Sequence, residues 1–242
     1  MSTTRAKSKD FSTPIRCSHL MSISNEHIAD MHLGYSVTVK QLNCSSCNNC
    51  VALGFNDTWC TPQDILADER ERNGWFEVST PRDRVVYYTL SQVIYREFEV
   101  PDGEQGEAIF DQPDPTDIIM VLWLKGQAIG FYTIKPKGSL VEETMEHYAM
   151  HTLDTAYVWS VKRRQGYGMG MLQNITSSYP GKDIGFSKPI SFSMWKVLRK
   201  YLQHNADYRN KFWEIEGTGG EGNQKLIWYA IRLQDKEKES NT

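Results

Sequence analysis

A glycine-rich, cationic turn at residues 161–175, "VKRRQGYGMGMLQNI", has the residue types and spacing best suited to binding chemistry. The first N–H groups of a helix have no intrahelical partner, and the helix dipole is positive there. Gly166 and Gly168 lack a Cβ, so the backbone can approach an oxygen-rich ligand, and Arg163 and Arg164 add positive charge. The turn is therefore predicted to bind an anion, and a diphosphate is the ligand that suits it best.

Two common phosphate-binding patterns do not fit this turn. The nucleoside-triphosphate loop G-x-x-x-x-G-K-[ST] does not occur in the sequence. The dinucleotide pattern G-x-G-x-x-G would require glycine at Met171, and no acidic residue follows a strand about 20 residues further on. The turn is therefore not expected to bind a nucleoside triphosphate or a dinucleotide through either of these patterns.

The elements around the turn are predicted to hold it at the end of a sheet. An apolar, aromatic-rich strand over residues 153–161 precedes it, and a helix runs from about Gly168 to Tyr179. Upstream, residues 117–135 form two strands joined by a tight turn at Lys125 and Gly126. Both strands are apolar on nearly every residue, which indicates a sheet covered on both faces.

The rest of the sequence alternates helical and strand patterns. Helices are predicted at residues 61–72 (opened by a capping box of Thr61 and Asp64), 82–97, 139–150 (a short helix or lid) and 187–204. Short strands are predicted at residues 36–42, 51–55, 212–217 and 225–234. The order is that of an α+β fold with a sheet of about six or seven strands between helices. Residues 1–14 and 235–242 read as disordered tails.

The pattern Arg163-x-x-Gly166-x-Gly168 resembles the (Q/R)-x-x-G-x-(G/A) signature of the GNAT superfamily of acetyl-CoA-dependent N-acetyltransferases. Longer blocks, "KGQAIGFYTIKPKGS" and "LDTAYVWSVKRRQGYGMGMLQ", are similar to the family of the soluble lamin-associated protein, whose members carry a GNAT-like domain and are linked to the nuclear envelope. The resemblance covers most of residues 82–217. It implies a GNAT-like, mostly antiparallel sheet of six to seven strands flanked by helices.

The domain organisation follows from this resemblance and from composition. Residues 81–234 are expected to form the GNAT-like domain. Residues 1–80 form an N-terminal extension, partly irregular, with a cysteine-rich loop at 44–60, and residues 235–242 form a charged tail.

The resemblance implies acetyl-CoA as the cofactor and CoA as the product. The amides of the turn would bind the pyrophosphate, and the preceding strand, Tyr157 to Val161, would hydrogen-bond the pantetheine arm. The implied cofactor-binding residues are Val158, Trp159, Ser160, Val161, Arg163, Arg164, Gln165, Gly166, Tyr167, Gly168 and Met169.

Acetyl transfer needs a polarised thioester carbonyl, a base for the ammonium and an acid for the leaving thiolate. In the resembled fold, strand amides near Val158 to Ser160 would hold the carbonyl, and an acidic residue on a central strand would be the base. The acid would be a Tyr or Ser on the helix after the fifth strand. The candidates are Asp154 as base and Tyr201, Ser193 and Ser191 as acid. Tyr201 also fits a core position on an amphipathic helix, and Asp154 also fits a strand start.

Two functions from different classes therefore remain open. The leading hypothesis is an acetyl-CoA-binding N-acetyltransferase that acts on a protein or small-amine acceptor. The alternative is a catalytically silent GNAT-like interaction module with a protein partner at the nuclear envelope. The first hypothesis makes the chain an enzyme and the second does not, and the sequence does not decide between them.

Four clustered cysteines raise the possibility of a metal site. Cys44, Cys47 and Cys50 follow a C-x-x-C-x-x-C pattern, with Cys60 ten residues later. Four thiolates could bind zinc, but the two separated knuckles typical of such sites are missing, so zinc is not favoured.

Composition limits the partners and the compartment. Lys plus Arg number 27 against 30 acids, a net charge of −3, so no nucleic-acid partner is expected. The longest apolar run, residues 118–124, is too short to span a bilayer, and the polar start lacks the apolar segment of a signal peptide. A nuclear or cytoplasmic location is expected.

Overall fold

The computed structural model describes residues 28–34 and 37–240 of the 242-residue chain. The strands are Ile28–His32 (β1), Thr38–Asn43 (β2), Cys50–Phe55 (β3), Thr58–Cys60 (β4), Gly74–Glu77 (β5), Ile118–Leu124 (β6), Gln127–Lys135 (β7), Leu140–Val141 (β8), Glu146–His147 (β9), His151–Val158 (β10), Ile184–Ser187 (β11), Phe212–Ile215 (β12) and Gln224–Leu226 (β13). The α-helices are Pro62–Ile65 (α1), Pro81–Tyr88 (α2), Tyr167–Ser178 (α3), Phe192–His204 (α4) and Ile227–Ser240 (α5). A π-helix, Thr89–Glu99, directly continues α2.

The main sheet has seven strands in the order β13-β12-β11-β10-β7-β6-β5. Its neighbours are antiparallel except for β10–β11 and β11–β12, which are parallel. Helices pack on both sides of this sheet, as the continuous apolar character of β6 and β7 indicates. The prediction of a mixed α+β fold with a mostly antiparallel sheet flanked by helices is confirmed.

Each side of the sheet has its own apolar core. On one side, Phe131 and Tyr157 pack with buried residues of α2 and the π-helix, such as Val86 and Leu90. On the other side, the inward residues of α3, α4 and α5 pack on Tyr132, Ile134 and Leu153. Consecutive residues of a strand, such as Phe131 and Tyr132, therefore point into opposite cores, because side chains alternate between the two faces of a sheet.

Two local predictions are confirmed in detail. Lys125 and Gly126 take positive φ values of 49° and 76° and join β6 to β7 in a tight hairpin. Thr61 and Asp64 form the capping box, each bonding to the backbone N–H of the other.

The helix predicted for residues 61–72 is wrong beyond its first turn. It ends at Ile65 because the next backbone groups find partners at the β6–β7 hairpin instead. The Asp68 N–H donates to the Gly126 carbonyl at 2.7 Å, and the Ala128 N–H donates to the Leu66 carbonyl at 2.8 Å. These tertiary hydrogen bonds replace the helical ones.

Residues 139–150 form no helix. They make the short hairpin β8–β9, whose strands pair Leu140 with His147 and Val141 with Glu146. The Ala149 N–H donates to the Thr218 carbonyl at 3.0 Å, so the loop after β12 holds the end of this hairpin.

The strand predicted for residues 225–234 is also wrong, because it ends at Leu226 and α5 begins at once. Ile227 and Ile231 are buried one helical turn apart, whereas Tyr229 between them is 66% exposed. This spacing is helical rather than alternating. The tail predicted from residue 235 is correspondingly helical through Ser240, and Asp235 pairs with Arg199 on α4.

The N-terminal extension is more ordered than its composition indicates. Strands β1 to β4 form an antiparallel sheet, in which the predicted strands at 36–42 and 51–55 appear as β2 and β3. Val39 and Leu53 of this sheet pack into the same core as α2 and the π-helix. Strand β5 joins the main sheet, so that sheet starts before residue 81. The expected tail at residues 1–14 lies outside the described residues.

Two substitutions test directly whether residues 227–240 form the helix α5 rather than a strand. We expect Ile231→Ala to lower the free energy of unfolding by about 2–5 kcal/mol, because it empties a buried site. Tyr229→Ala should change it by less than about 0.5 kcal/mol, because that side chain is exposed. Urea unfolding measures both. In a strand the two residues would share a face, so equal losses would contradict the helix.

Candidate functional site

Strands β10 and β11 part after a short stretch of parallel pairing. Only His151, Thr152 and Leu153 have partners on β11, namely Ile184, Gly185 and Phe186. Strand β10 nevertheless continues to Val158, paired with β7 on its other edge. No strand among the described residues pairs with the second edge of β10 beyond Leu153.

A cleft of about 700 Å³ opens where the two strands part. Met171 and Phe186, from the core of α3 and α4, line it on one side of the sheet. Tyr87 and Tyr95, from the core of α2 and the π-helix, line it on the other side. The cleft therefore passes through the sheet between β10 and β11 and is lined from both faces.

The glycine-rich turn stands at the rim of this cleft. Gly166, with φ of 90°, is the N-cap residue of α3, and Arg164 also has a positive φ of 65°. Residues 163–166 are exposed. Among the described residues no group accepts a hydrogen bond from the backbone N–H groups of Arg164 through Met169. These donors, with the positive end of the α3 dipole, form a site suited to an anion.

Gly168 has a packing role beside its place in the turn. A Cβ at this position would lie 3.0 Å from Cγ2 of Val197 on α4. The glycine therefore lets the first turn of α3 press against α4. This contact places both helices on the same side of the cleft.

The two arginines of the turn differ in role. The Arg163 side chain donates from Nε to the Val158 carbonyl at 2.8 Å and lies 3.6 Å from both Glu99 and Glu107. It is engaged in holding the turn against the end of β10. Arg164 has no ion pair among the described residues and lines the cleft. Arg164 is thus the arginine whose charge is available to a ligand.

The structure brings only part of the predicted cofactor set to the cleft. Val158, Arg163, Arg164, Gly166, Tyr167, Gly168 and Met169 line the cleft. Trp159, Ser160, Val161 and Gln165 do not. The Trp159 N–H donates to the Ile129 carbonyl at 2.8 Å, and the Ser160 N–H donates to Glu99 Oε1 at 2.9 Å, so neither amide is available to a carbonyl of a ligand. The predicted strand ends at Val158, and residues 160–162 form a 3₁₀ turn.

Asp154 occupies the point at which the strands separate. The pairing of β10 with β7 shifts register between Leu153 and Thr155, which leaves Asp154 in a β-bulge. Ser187 at the end of β11 donates its hydroxyl to Asp154 Oδ1 at 2.8 Å. Asp154 lines the cleft and is half-buried. The carboxylate predicted as a base thus lines the cleft at the point where β10 and β11 separate.

Ser191 and Ser193 lie together at the start of α4, and both line the cleft. Their hydroxyl oxygens are 3.1 Å apart. Ser191 is the N-cap and accepts a hydrogen bond from the Met194 N–H, whereas Ser193 is exposed. Ser193 is the freer of the two predicted hydroxyl groups.

Tyr201 is not part of the cleft. Its ring stacks on Phe212 with centroids 5.7 Å apart, and its hydroxyl lies 2.8 Å from Thr176 Oγ1 in the core of α3 and α4. Burial raises the pKa of this hydroxyl. The prediction of Tyr201 as an acid is not supported by this position, because the inward face of α4 carries it away from the split.

Several residues of the cleft were missed by the sequence reading. Lys135 at the end of β7 lines the cleft and pairs with Asp114 at 2.6 Å and Asp117 at 2.7 Å. Burial opposes its charge, but these two hydrogen bonds leave the pKa of Lys135 above its ordinary value. Tyr87 falls within the helix predicted at residues 82–97, and its position there gives no indication of a cleft. Only the spatial convergence of α2, β7, β10 and the loop at 106–114 places these side chains together.

The cysteines are not arranged as a zinc site. Cys44 and Cys50 are buried and Cys47 is exposed. Burial and the nearby Glu97 raise the pKa of the Cys50 thiol well above its ordinary value, which keeps it protonated. Across residues 28–34 and 37–240, no three His, Cys, Asp or Glu side chains are grouped so as to hold a metal ion.

Over the same ranges, none of the helices has both the length and the apolar composition that crossing a bilayer requires.

The different roles of the two arginines are open to measurement. We expect Arg163→Gln to lower the free energy of unfolding by about 1 kcal/mol, because its hydrogen bond to the Val158 carbonyl is lost. Arg164→Gln should change it by less than about 0.5 kcal/mol. Urea unfolding of both variants decides the matter, and a larger loss in Arg164→Gln would reverse the assignment.

Comparisons with known proteins find relatives of similar sequence. The chain is 32% identical to Protein FAM169B of Mus musculus over 195 residues, which are 77% of this chain and 56% of that protein. It is 28% identical to Protein FAM169BP of Homo sapiens over 117 residues, 48% of this chain and 60% of that protein. The chain therefore spans less than two thirds of the curated relatives it matches. No family model matches the sequence, and no solved structure matches it. This chain is thus similar to two FAM169B proteins, whose names state no activity, ligand or partner.

Proposed function

We propose that this protein is a GNAT-like acetyl-CoA-binding protein that transfers the acetyl group to the amine of a protein or small molecule. The observation that carries the proposal is the cleft between β10 and β11, with the unpaired amides of the Gly166 turn at its rim. A cofactor with a diphosphate and an amide-containing arm needs both features together.

The free edge of β10 suits the arm of the cofactor. Beyond Leu153, backbone groups of β10 on this side lack a strand partner and face the cleft. The pantetheine arm of CoA carries amide groups, which could pair with such an edge as an additional strand would. The thioester would then lie near Asp154, where the strands meet.

The charges near the turn suit the phosphate groups. Arg164 of the turn and Lys196 and Lys200 of α4 line the cleft. Together with the amides of Gly166, Tyr167 and Gly168, they offer both positive charge and directed donors. This combination is favourable for a diphosphate.

The proposed chemistry uses two side chains at the split. Asp154 accepts a proton from the acceptor ammonium, and the free amine then attacks the thioester carbonyl. The new C–N bond forms and the C–S bond breaks, the attacking nitrogen gives up its second proton, and that proton passes through Ser193 to the thiolate, which leaves as CoA thiol. Ser193 is the hydroxyl that lies on the cleft side of α4 and can supply a proton to that thiolate.

The placement of Tyr201 favours a second candidate function. Because the tyrosine predicted as the acid lies in the core, the chain could bind acetyl-CoA without turning it over. It would then be a GNAT-like interaction module, and a protein partner at the nuclear envelope is part of that alternative.

Binding of acetyl-CoA tests the proposed cofactor. We expect saturable binding by isothermal titration calorimetry, weakened at least about tenfold in Gly166→Asp, because a carboxylate in the turn repels the diphosphate. Gly181→Asp is the matched control: Gly181 also has a positive φ (69°) with open space around it, but it lies outside the cleft. This control should retain wild-type affinity.

If wild type does not bind acetyl-CoA, the proposal fails. Equal weakening in both aspartate variants would assign the effect to backbone strain rather than to the site.

Turnover separates the enzyme from the silent module. With a panel of lysine peptides and polyamines, we expect release of CoA thiol from acetyl-CoA, reduced at least about tenfold in Asp154→Asn through loss of the base. Asp183→Asn, on the chain before β11 and outside the cleft, should be unchanged. Binding without thiol release by wild type would favour the silent module.

A further inference from the structure

A second groove lies between the chain before β12 and the start of α5, apart from the cleft at β10. It measures about 730 Å³ and shares no residue with that cleft. We call it the basic groove and define it by Arg209, Lys211, Trp228, Tyr229 and Arg232. Because the groove is shallow, it suits a segment of protein better than a small molecule, which needs to be mostly enclosed.

The basic groove is positively charged although the chain as a whole is acidic. Its three basic side chains stand against one acid, Asp207, whereas the net charge of the chain is −3. Lys211 lies 4.0 Å from Asp183, which offsets part of its charge. Arg232 is exposed and has no ion pair among the described residues. The groove therefore favours acidic side chains as partners.

Arg209 is held in place by neutral partners. Its Nε donates to the Leu202 carbonyl at 2.9 Å and its Nη2 donates to the Gln203 carbonyl at 3.2 Å, both in the last turn of α4. Its guanidinium lies 4.4 Å from the centre of the Trp228 ring. These partners fix the guanidinium without cancelling its charge. Next to Trp228 in the chain, Tyr229 is 66% exposed, so the groove offers apolar as well as cationic surface.

The hairpin β8–β9 of the same chain has the opposite charge. Its turn carries Glu142 and Glu143, both exposed and without an ion pair among the described residues. Met145 in the same turn is 71% exposed. The tip of the hairpin thus presents two carboxylates beside a flexible apolar side chain, which is the complement of the basic groove.

The base of this hairpin is fixed to the rest of the protein. The Gly138 N–H donates to the Tyr148 carbonyl at 2.8 Å, and the Tyr148 N–H donates to the Ser139 carbonyl at 3.0 Å. The Thr218 hydroxyl donates to Glu146 at 2.9 Å. A fixed base holds the tip in a defined position, so that less conformational entropy is lost when a partner binds.

We propose that the hairpin β8–β9 of one copy of this chain binds in the basic groove of a second copy. The carboxylates of Glu142 and Glu143 pair with the cations of the groove, among them the exposed Arg232. Met145 packs on Tyr229, since methionine sulfur makes favourable contacts with aromatic rings. No residue of the hairpin lines the groove of its own chain, so the contact is made between copies.

The inference is independent of the proposed cofactor and reaction, because the hairpin and the basic groove both lie outside the cleft. The contact joins two different surfaces. It closes into a dimer when two copies exchange their hairpins, and it builds a ring or a row of copies otherwise.

The test is self-association of the whole chain, measured by analytical ultracentrifugation at roughly 1–200 µM, the range in which small interfaces associate. We expect wild type to pass from monomer to dimer or larger species. About 1 M NaCl should weaken this association, because it screens charges beyond about 3 Å. Glu143→Arg and Arg232→Glu should each weaken it at least about fivefold, because a like-charge pair replaces an attractive one.

An equimolar mixture of these two variants is the decisive sample. The unchanged hairpin of Arg232→Glu meets the unchanged groove of Glu143→Arg, and the two reversed surfaces attract each other. We therefore expect the mixture to recover association, which also shows that both variants are folded. Glu104→Arg and Lys40→Glu are the matched controls, since they make the same changes of charge at exposed positions outside the hairpin and the groove. Both should associate as wild type does.

Four results would overturn the proposal: a wild type that stays monomeric throughout this range, association that the two charge reversals leave unchanged, loss that the mixture does not recover, or equal loss in the controls. A monomeric wild type that binds a fluorescein-labelled oligoglutamate peptide, and loses that binding in Arg232→Glu, would assign the groove to an acidic segment of another protein instead. Binding of acetyl-CoA by a monomeric wild type would leave the proposed function standing without this inference, and association without that binding would do the reverse.

Discussion

The constraint on which the rest of the site depends is the unpaired edge of β10. A strand inside a protein needs partners for its N–H and C=O groups on both edges, since a buried group without a partner costs about 1–3 kcal/mol. Strand β10 has β7 along one edge, but β11 supplies only three partners on the other. Groups of the protein satisfy part of that edge: the Arg163 side chain binds the Val158 carbonyl, which leaves the stretch from Asp154 open to a ligand.

The packing on either side keeps the strands apart. Strand β11 ends at Ser187, and the chain then turns away through Lys188 to Ile190 into α4. Helix α4 is held against α3 by the contact of Gly168 with Val197, so the amides at the start of α3 stay at the rim of the cleft. On the opposite face, the π-helix holds the loop at residues 106–114, which lines the cleft there. The gap is thus supported by three separate elements and does not depend on one flexible segment.

Sequence reasoning succeeded where local chemistry determines structure. The capping box at Thr61, the hairpin turn at Lys125 and the bend at Gly166 were predictable because each depends on residues close together in the chain. It failed where tertiary contacts override a local pattern. The chain leaves the helix at Leu66 to pair with the β6–β7 hairpin, and residues 227–240 become a helix because Ile227 and Ile231 reach the core together.

The candidate site shows the same division. The turn was predictable because its glycines and arginines are contiguous, whereas the positions of Tyr201 and Tyr87 were not. Both are tyrosines on helices with apolar faces, and sequence alone gives them the same environment. Only the direction of each side chain relative to the split places Tyr201 in the core and Tyr87 in the cleft. The cleft lies between β10 and β11, which are 26 residues apart in sequence. No short stretch of sequence therefore indicates which residues line it.

Hydrogen–deuterium exchange with and without CoA tests the central claim most directly, because that claim concerns backbone N–H groups. We expect CoA to slow exchange in the peptides that cover residues 154–158 and 164–169 together, with little change in the shallow surface formed by Arg209, Trp228 and Arg232. Protection of both segments would mean that one ligand satisfies the edge of β10 and the turn. Unchanged exchange in these segments at saturating CoA, or protection confined to the surface at Arg209, would contradict the account.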